Sequence, residues 1–238
     1  MGRNGRNKEY ALCFFSLMGV LIGALMYAFC MICTRFGFGQ SCFAFIGTAI
    51  PVIASGGVPL SGFMNTVDGL CLEWFGNKDG KRKEESSDAA RRGNYAAIAL
   101  GIYFCLYAGG LLLIWKERQL LLLGMGYIAS RTLYGMGFVW FPGAQGEKMS
   151  YASLSSAQKK ALRLILGMIL ALCFGTCVAV APVAGSLEAL LCMWIWTYYY
   201  YMSKKRFGGV TKDAAGYFLT LCELAVVVFV GMFGRVLL

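Results

Sequence analysis

Apolar residues fall in blocks along this chain, and polar and charged residues collect between the blocks. The apolar stretches cover about 11–33, 41–60, 94–115, 119–141, 164–182, 186–202 and 214 to the C-terminus. Each is close to the roughly 20 residues a helix needs to cross a bilayer. The pattern predicts an all-α fold, a polytopic membrane helical bundle of about seven transmembrane helices forming one domain over residues 1–238.

Local signals punctuate the blocks. Pro51 and the pair Gly56-Gly57 are expected to bend or break the second span. Gly19 and Gly23, four apart, let a neighbouring helix approach span 1 closely. Pro142 stops span 4, and the connection 143–163 contains SYASLSSAQKKALR, a Ser-capped amphipathic stretch expected at the interface. Span 6 ends in WIWTYYYYM, an aromatic belt followed by Lys204-Lys205-Arg206.

Composition agrees with this reading. Hydrophobic residues make up 58% of the 238 and charged ones only 14%, about half the charged share of an average soluble domain. The net charge of +10 lies between apolar runs, which excludes nucleic acid as the partner and points to a lipid bilayer. Lys78, Lys81, Arg82, Lys83, Arg91 and Arg92 occupy one loop; Arg3, Arg6 and Lys8 precede span 1. With the N-terminus inside, the loops at 61–93, 142–163 and 203–213 are cytoplasmic, and only Arg35, Lys116, Arg118 and Arg235 remain outside. The expected location is the cell membrane, multi-pass. The first span is too long for a signal-peptide core.

Ten cysteines lie almost entirely in apolar runs, and Cys30 and Cys33 have neither a second pair nor a histidine to complete a zinc site. With no histidine at all, imidazole catalysis is excluded. Chemistry must rest on carboxylates, basic side chains and metal.

Three groups can carry it. Ser61, Asn65 and Asp68 stand at i, i+4 and i+7 and share one helical face. They offer a hydroxyl, a carbonyl and a carboxylate, the oxygen types Mg²⁺ prefers; a plain polar helix end is the alternative. The loop Gly208-Gly209-Val210-Thr211-Lys212-Asp213 allows backbone N–H groups to approach a phosphate that Lys212 offsets, or is an ordinary turn. Arg131, beside Ser130, and Glu223 are intramembrane charges at similar depth, expected to face the interior and pair. Glu188, near the outer end of span 6, reads as interfacial.

Taken together, GGVPLSGFMNTVDGL at 56–70, SRTLYG at 130–135, FP at 141–142 and KRFGGVTKDAAGYFLTLCEL at 205–224 resemble the adenosylcobinamide-GDP ribazoletransferase (cobalamin-5′-phosphate synthase) family. The resemblance covers nearly the whole chain. It implies a Mg²⁺-dependent integral membrane transferase that joins adenosylcobinamide-GDP to α-ribazole or its 5′-phosphate and releases GMP. The implied partners are that corrinoid nucleotide and α-ribazole; a homo-oligomer is left open. On this resemblance Asp68, Asp213, Arg131 and Glu223 are catalytic candidates. Gly208, Gly209, Thr211, Lys212 and Ser130 would bind substrate or phosphate, and Asp68, Asn65 and Ser61 the metal.

The family writes His-x-Asp-Gly-x-x-Asp-x-x-Asp where this chain has Pro59, Ser61, Gly62, Asn65 and Asp68. Two carboxylates are replaced by neutral oxygens, and coordination depends on ligand charge. Ser87-Asp88 stands near the family's Lys-Asp pair at a spacing one residue longer, and Lys212 replaces a glycine. A catalytically impaired member that binds or scaffolds corrinoid intermediates is therefore the alternative. A CDP-alcohol phosphotransferase is more remote, because Asn65-Thr66 stands where that pattern has Ala-Arg.

Overall fold

The computed structural model describes residues 3–76, 93–144 and 155–237. The basic loop residues from Lys78 to Arg92, Ser87-Asp88 and positions 145–154 lie outside the described residues. Eight helices are described: α1 (Arg3–Arg35), α2 (Gln40–Ala54), α3 (Val58–Gly76), α4 (Asn94–Leu112), α5 (Glu117–Trp140), α6 (Ser156–Val180), α7 (Pro182–Phe207) and α8 (Lys212–Leu237). Among the described residues the sole β pairing is a parallel bridge, Gly143 to Val210.

The protein is a polytopic helical bundle. Four segments are long and apolar enough to cross a membrane: Phe14–Arg35, Asn94–Leu112, Ser156–Val180 and Lys212–Gly234. The broken pair α2–α3 makes a fifth if it is one span. The expected count of about seven differs because α5 and α7, though 24 and 26 residues long, carry charged or polar residues that dilute them, and because the second apolar run is half a span joined to a helix at 93°. Pro51 is accommodated inside α2; the break comes at Ser55–Gly57, where Gly56 and Gly57 adopt φ of +63° and +71°. These are conformations an L side chain resists.

The core is organised around α8. Of its span window 56% is buried, against 22–28% for the other three. It packs against α3, α4, α5 and α7. Glycines set the close approaches. A Cβ on Gly19 would lie 2.6 Å from the Tyr127 carbonyl oxygen and one on Gly23 3.0 Å from Gly124 Cα, so the Gly19/Gly23 pair seats α1 on α5. Thr132 Oγ1 donates to Ser16 Oγ across the same contact, at 3.0 Å. α6 opens on the anticipated cap: Ser155 Oγ accepts from Gln158 N–H, and the Gln158 side chain accepts from Ser155 N–H. Residues 156–163 thus form the first turns of the span itself.

Buried charge is confined to a few places. Arg131 and Glu223 form an ion pair in the interior, with 2% and 5% of their surfaces exposed. Glu188 is not interfacial: it is 2% exposed and wedged towards Gly126, where a Cβ would meet its Oε1 at 2.6 Å. Gly185 packs on the Cys177 backbone, and this tight α6–α7 turn draws the start of α7 inward. Cys30 and Cys33 are buried and unbridged, as small apolar residues.

Candidate functional site

The site begins with the 93° elbow. Because α2 stops at Ala54, α3 turns to run antiparallel beside α8, and the two meet where each carries a glycine. A Cβ on Gly62 would lie 2.9 Å from the Asp213 carbonyl oxygen and 3.1 Å from Gly216 Cα; one on Gly216 would lie 2.9 Å from the Pro59 oxygen. Next to the crossing, Phe63 and Tyr217 stack with ring centres 5.7 Å apart and planes 8° apart. This contact brings residues 148 apart in sequence together: Asn65 Nδ2 donates to Asp213 Oδ2 at 3.2 Å. Ser61, one turn away on the same exposed face, donates its hydroxyl to the Val58 carbonyl at 2.9 Å, leaving its oxygen able to accept.

Asp68 continues this face but is engaged elsewhere. Its Oδ2 accepts from Gly93 N–H at 2.7 Å and its Oδ1 from Ala96 N–H at 2.8 Å. Gly93 is the N-cap residue of α4 and makes no side-chain cap of its own, so Asp68 supplies the missing acceptor from another helix. A carboxylate there also meets the positive end of the α4 dipole.

The 208–213 loop is a junction. Gly208 ends α7 with φ +67°, and Gly209 N–H donates to the Ser203 carbonyl. Val210 N–H donates to Pro142 O at 2.9 Å, and Ala144 N–H returns a bond to Val210 O at 3.1 Å. A Cβ on Gly209 would sit 2.6 Å from the Gly143 carbonyl carbon. Thr211 Oγ1 accepts from Ala214 N–H and caps α8. The N–H groups of both Gly209 and Val210 are therefore committed within the chain, and Lys212 and Asp213 are exposed on the first turn of α8.

Three other candidates, Arg131, Glu223 and Ser130, are remote from this face. Glu223 lies ten residues beyond Asp213 on α8, about 15 Å further along the axis. Its Arg131 pairing closes the interior beside a small crevice lined by Pro51, Ser55 and Pro59 of the elbow. Ser130 is buried and donates to the Tyr127 carbonyl. The crossing thus unites Ser61, Asn65 and Asp213, turns Asp68 towards α4, and leaves Arg131, Glu223 and Ser130 inside.

An oxygen-ligated divalent cation fits this donor set only in part. No group of three or more His, Cys, Asp or Glu side chains that could hold a metal exists among the described residues. One carboxylate from Asp213, with the Asn65 and Ser61 oxygens, suits a Mg²⁺ shared with a substrate's phosphates rather than an all-protein cage.

Residues 3–231 match the family described as cobalamin-5-phosphate synthase. The chain belongs to that family. Similar curated proteins are the adenosylcobinamide-GDP ribazoletransferases of Lachnoclostridium phytofermentans, 30% identical over 91% of this chain and 81% of that protein, and of Clostridium perfringens, 24% identical over 95% and 89%. The enzyme of the same name from Pseudomonas fluorescens is 25% identical over 94% and 88%. No solved structure matches. As a cobalamin-5-phosphate synthase family member, the chain is a membrane-embedded transferase of cobalamin synthesis.

Proposed function

We propose that this chain joins adenosylcobinamide-GDP to α-ribazole, or its 5′-phosphate, with release of GMP. The observation that carries the reading is the convergence of α3 and α8 within a family match that spans residues 3–231: the Gly62–Gly216 crossing places Asn65 against Asp213 at an exposed face. In the transfer, a ribose hydroxyl of ribazole attacks the phosphorus attached to cobinamide. A new P–O bond forms, the bond to GMP breaks, and the hydroxyl proton leaves.

Asp213, Asn65 and Ser61 would hold Mg²⁺ together with the diphosphate. When bound, the cation neutralises charge on the phosphoryl oxygens. Lys212, exposed beside Asp213, adds positive charge for the departing phosphate. Asp68 acts one step back, fixing α4 against α3. The face opens to the cytoplasm of a cell-membrane protein, the side to which the positive-inside pattern assigns it.

A specific observation favours a slow enzyme. Two family carboxylates are Ser61 and Asn65 here, and the remaining one, Asp68, already accepts two backbone N–H bonds. The test is GMP release by the full-length protein in nanodiscs, with Mg²⁺ and with excess chelator, beside the Ser61→Asp/Asn65→Asp variant. We expect chelator-sensitive release by the natural chain and faster release, at lower Mg²⁺, by the variant. Equal rates for the two would refute the impairment, and no release by either would refute the transfer.

A further inference from the structure

One cavity does not coincide with the polar face. It is a groove of about 540 Å³ between α3, α7 and α8, lined by Val67 and Cys71, by Tyr198, Tyr201 and Lys205, and by Tyr217. That volume is in the range of small-molecule sites. Its walls follow from helical spacing. Tyr198, Tyr201 and Lys205 stand at i, i+3 and i+7 on α7, and Val67 and Cys71 at i and i+4 on α3. Tyr217 is one turn, about 6 Å, below Asp213 on α8, and its ring is held by the stack with Phe63.

Two of the phenol rings keep exposed surface: Tyr201, which meets Tyr200 edge-on, is 65% and Tyr198 43% exposed. Among the described residues the lining holds the basic groups Lys205 and Arg206 at adjacent positions on α7, and no carboxylate or carboxamide. A guanine base, whose edge carries several donors and acceptors, would leave most of them unmatched there. A fused aromatic base with little hydrogen-bonding edge suits the apolar slot and can stack on the phenols. A phosphate on its ribose suits the two basic groups.

We infer that this groove binds the acceptor half of the reaction, a benzimidazole-type nucleoside or its 5′-phosphate, with Tyr201 stacking on the base and Lys205 meeting the phosphate. The inference rests on the transferase reading and adds the location and selectivity of one substrate. It places the ribose between the groove and Asp213, so the two substrates approach from opposite sides of Tyr217.

The experiment measures calorimetric binding of α-ribazole, α-ribazole 5′-phosphate and GDP to the full-length chain in nanodiscs. The variants are Tyr201→Ala, Tyr201→Phe and Lys205→Gln. Tyr201→Ala should weaken both ribazole ligands about 5- to 150-fold, the usual range for losing one base–aromatic stack, and Tyr201→Phe should restore binding. Lys205→Gln should weaken only the phosphorylated ligand, and GDP affinity should be unmoved throughout. Unchanged ribazole affinity in Tyr201→Ala, or equal losses for GDP, would overturn the assignment. So would native mass spectrometry showing an anionic phospholipid that Tyr201→Ala releases while ribazole affinity stays constant. Ribazole binding through Tyr201 without GMP release would keep the groove and defeat the transfer. GMP release whose KM for ribazole ignores Tyr201→Ala would defeat the groove alone.

Discussion

Gly62→Ala tests whether the α3–α8 crossing assembles the site. The added methyl would lie 2.9 Å from the Asp213 carbonyl oxygen and 3.1 Å from Gly216 Cα, where ordinary contact begins at 3.4 Å. Both neighbours are backbone, so no rotamer change relieves the contact, and the helices must part by about 0.5 Å. Overpacking of this kind costs about 1–3 kcal/mol, or roughly 2–12 °C in Tm for a chain of this size. The same displacement moves Asp213 away from Asn65, and a shift of that order is expected to lower kcat for GMP release about 10-fold. The assays are thermal unfolding in detergent and GMP release in nanodiscs. Gly69→Ala on the same helix is the control: a Cβ there meets nothing within 4 Å. It should leave Tm unchanged or raise it, since Ala is the better helix former. The double variant Gly62→Ala/Gly216→Ala should cost less than its singles combined, because one separation relieves both contacts. If Gly62→Ala matches Gly69→Ala in both assays, the crossing does not define the site.

Other outcomes follow from the remaining contacts. Breaking the buried pair with Arg131→Met or Glu223→Gln should destabilise by about 3–5 kcal/mol, while Arg131→Met/Glu223→Leu recovers most of that; unfolding of the three proteins checks it. Asp68→Ala removes the acceptor for Gly93 and Ala96 and should cost about 1 kcal/mol, with Asp68→Asn partly retaining it; an unchanged Tm with abolished GMP release would instead make Asp68 a direct participant. Asn65→Asp sets a second carboxylate beside Asp213, a repulsion of about 1 kcal/mol at an exposed site, so its Tm should fall in chelator and recover with Mg²⁺. Glu188→Met should raise Tm, because both oxygens of Glu188 are buried without a hydrogen-bond partner among the described residues.

What the sequence discloses is the part written in local periodicity. Long apolar runs predict the helices, and glycines four apart predict that α1 seats closely on a neighbour. Isolated charges in apolar runs must find each other, as Arg131 and Glu223 do. What it conceals depends on distant partners. Nothing near Asp68 indicates that α4 begins without a cap and borrows its carboxylate. Paired glycines at 208–209 signal backbone freedom, but not that the Gly209 and Val210 N–H groups are spent on Ser203 and Pro142. Glu188 reads as interfacial from its distance to a helix end; only Gly126, a gap on a different helix, shows where it goes. The elbow was legible as a break but not as a right angle, because glycines permit many directions and packing on α8 chooses one.

The Asn65–Asp213 bond has a further consequence for how this protein is made. Its partners are separated by 148 residues, which at a synthesis rate of about 5–20 residues per second is roughly 7–30 s of translation. Throughout that interval α3 is present with its Gly62 groove open, and the helix that fills the groove has not yet emerged. Nascent chains interrupted before α8 therefore display a ready cleft to any passing small-faced helix, and α8 is the one that turns an inserted bundle into a working protein.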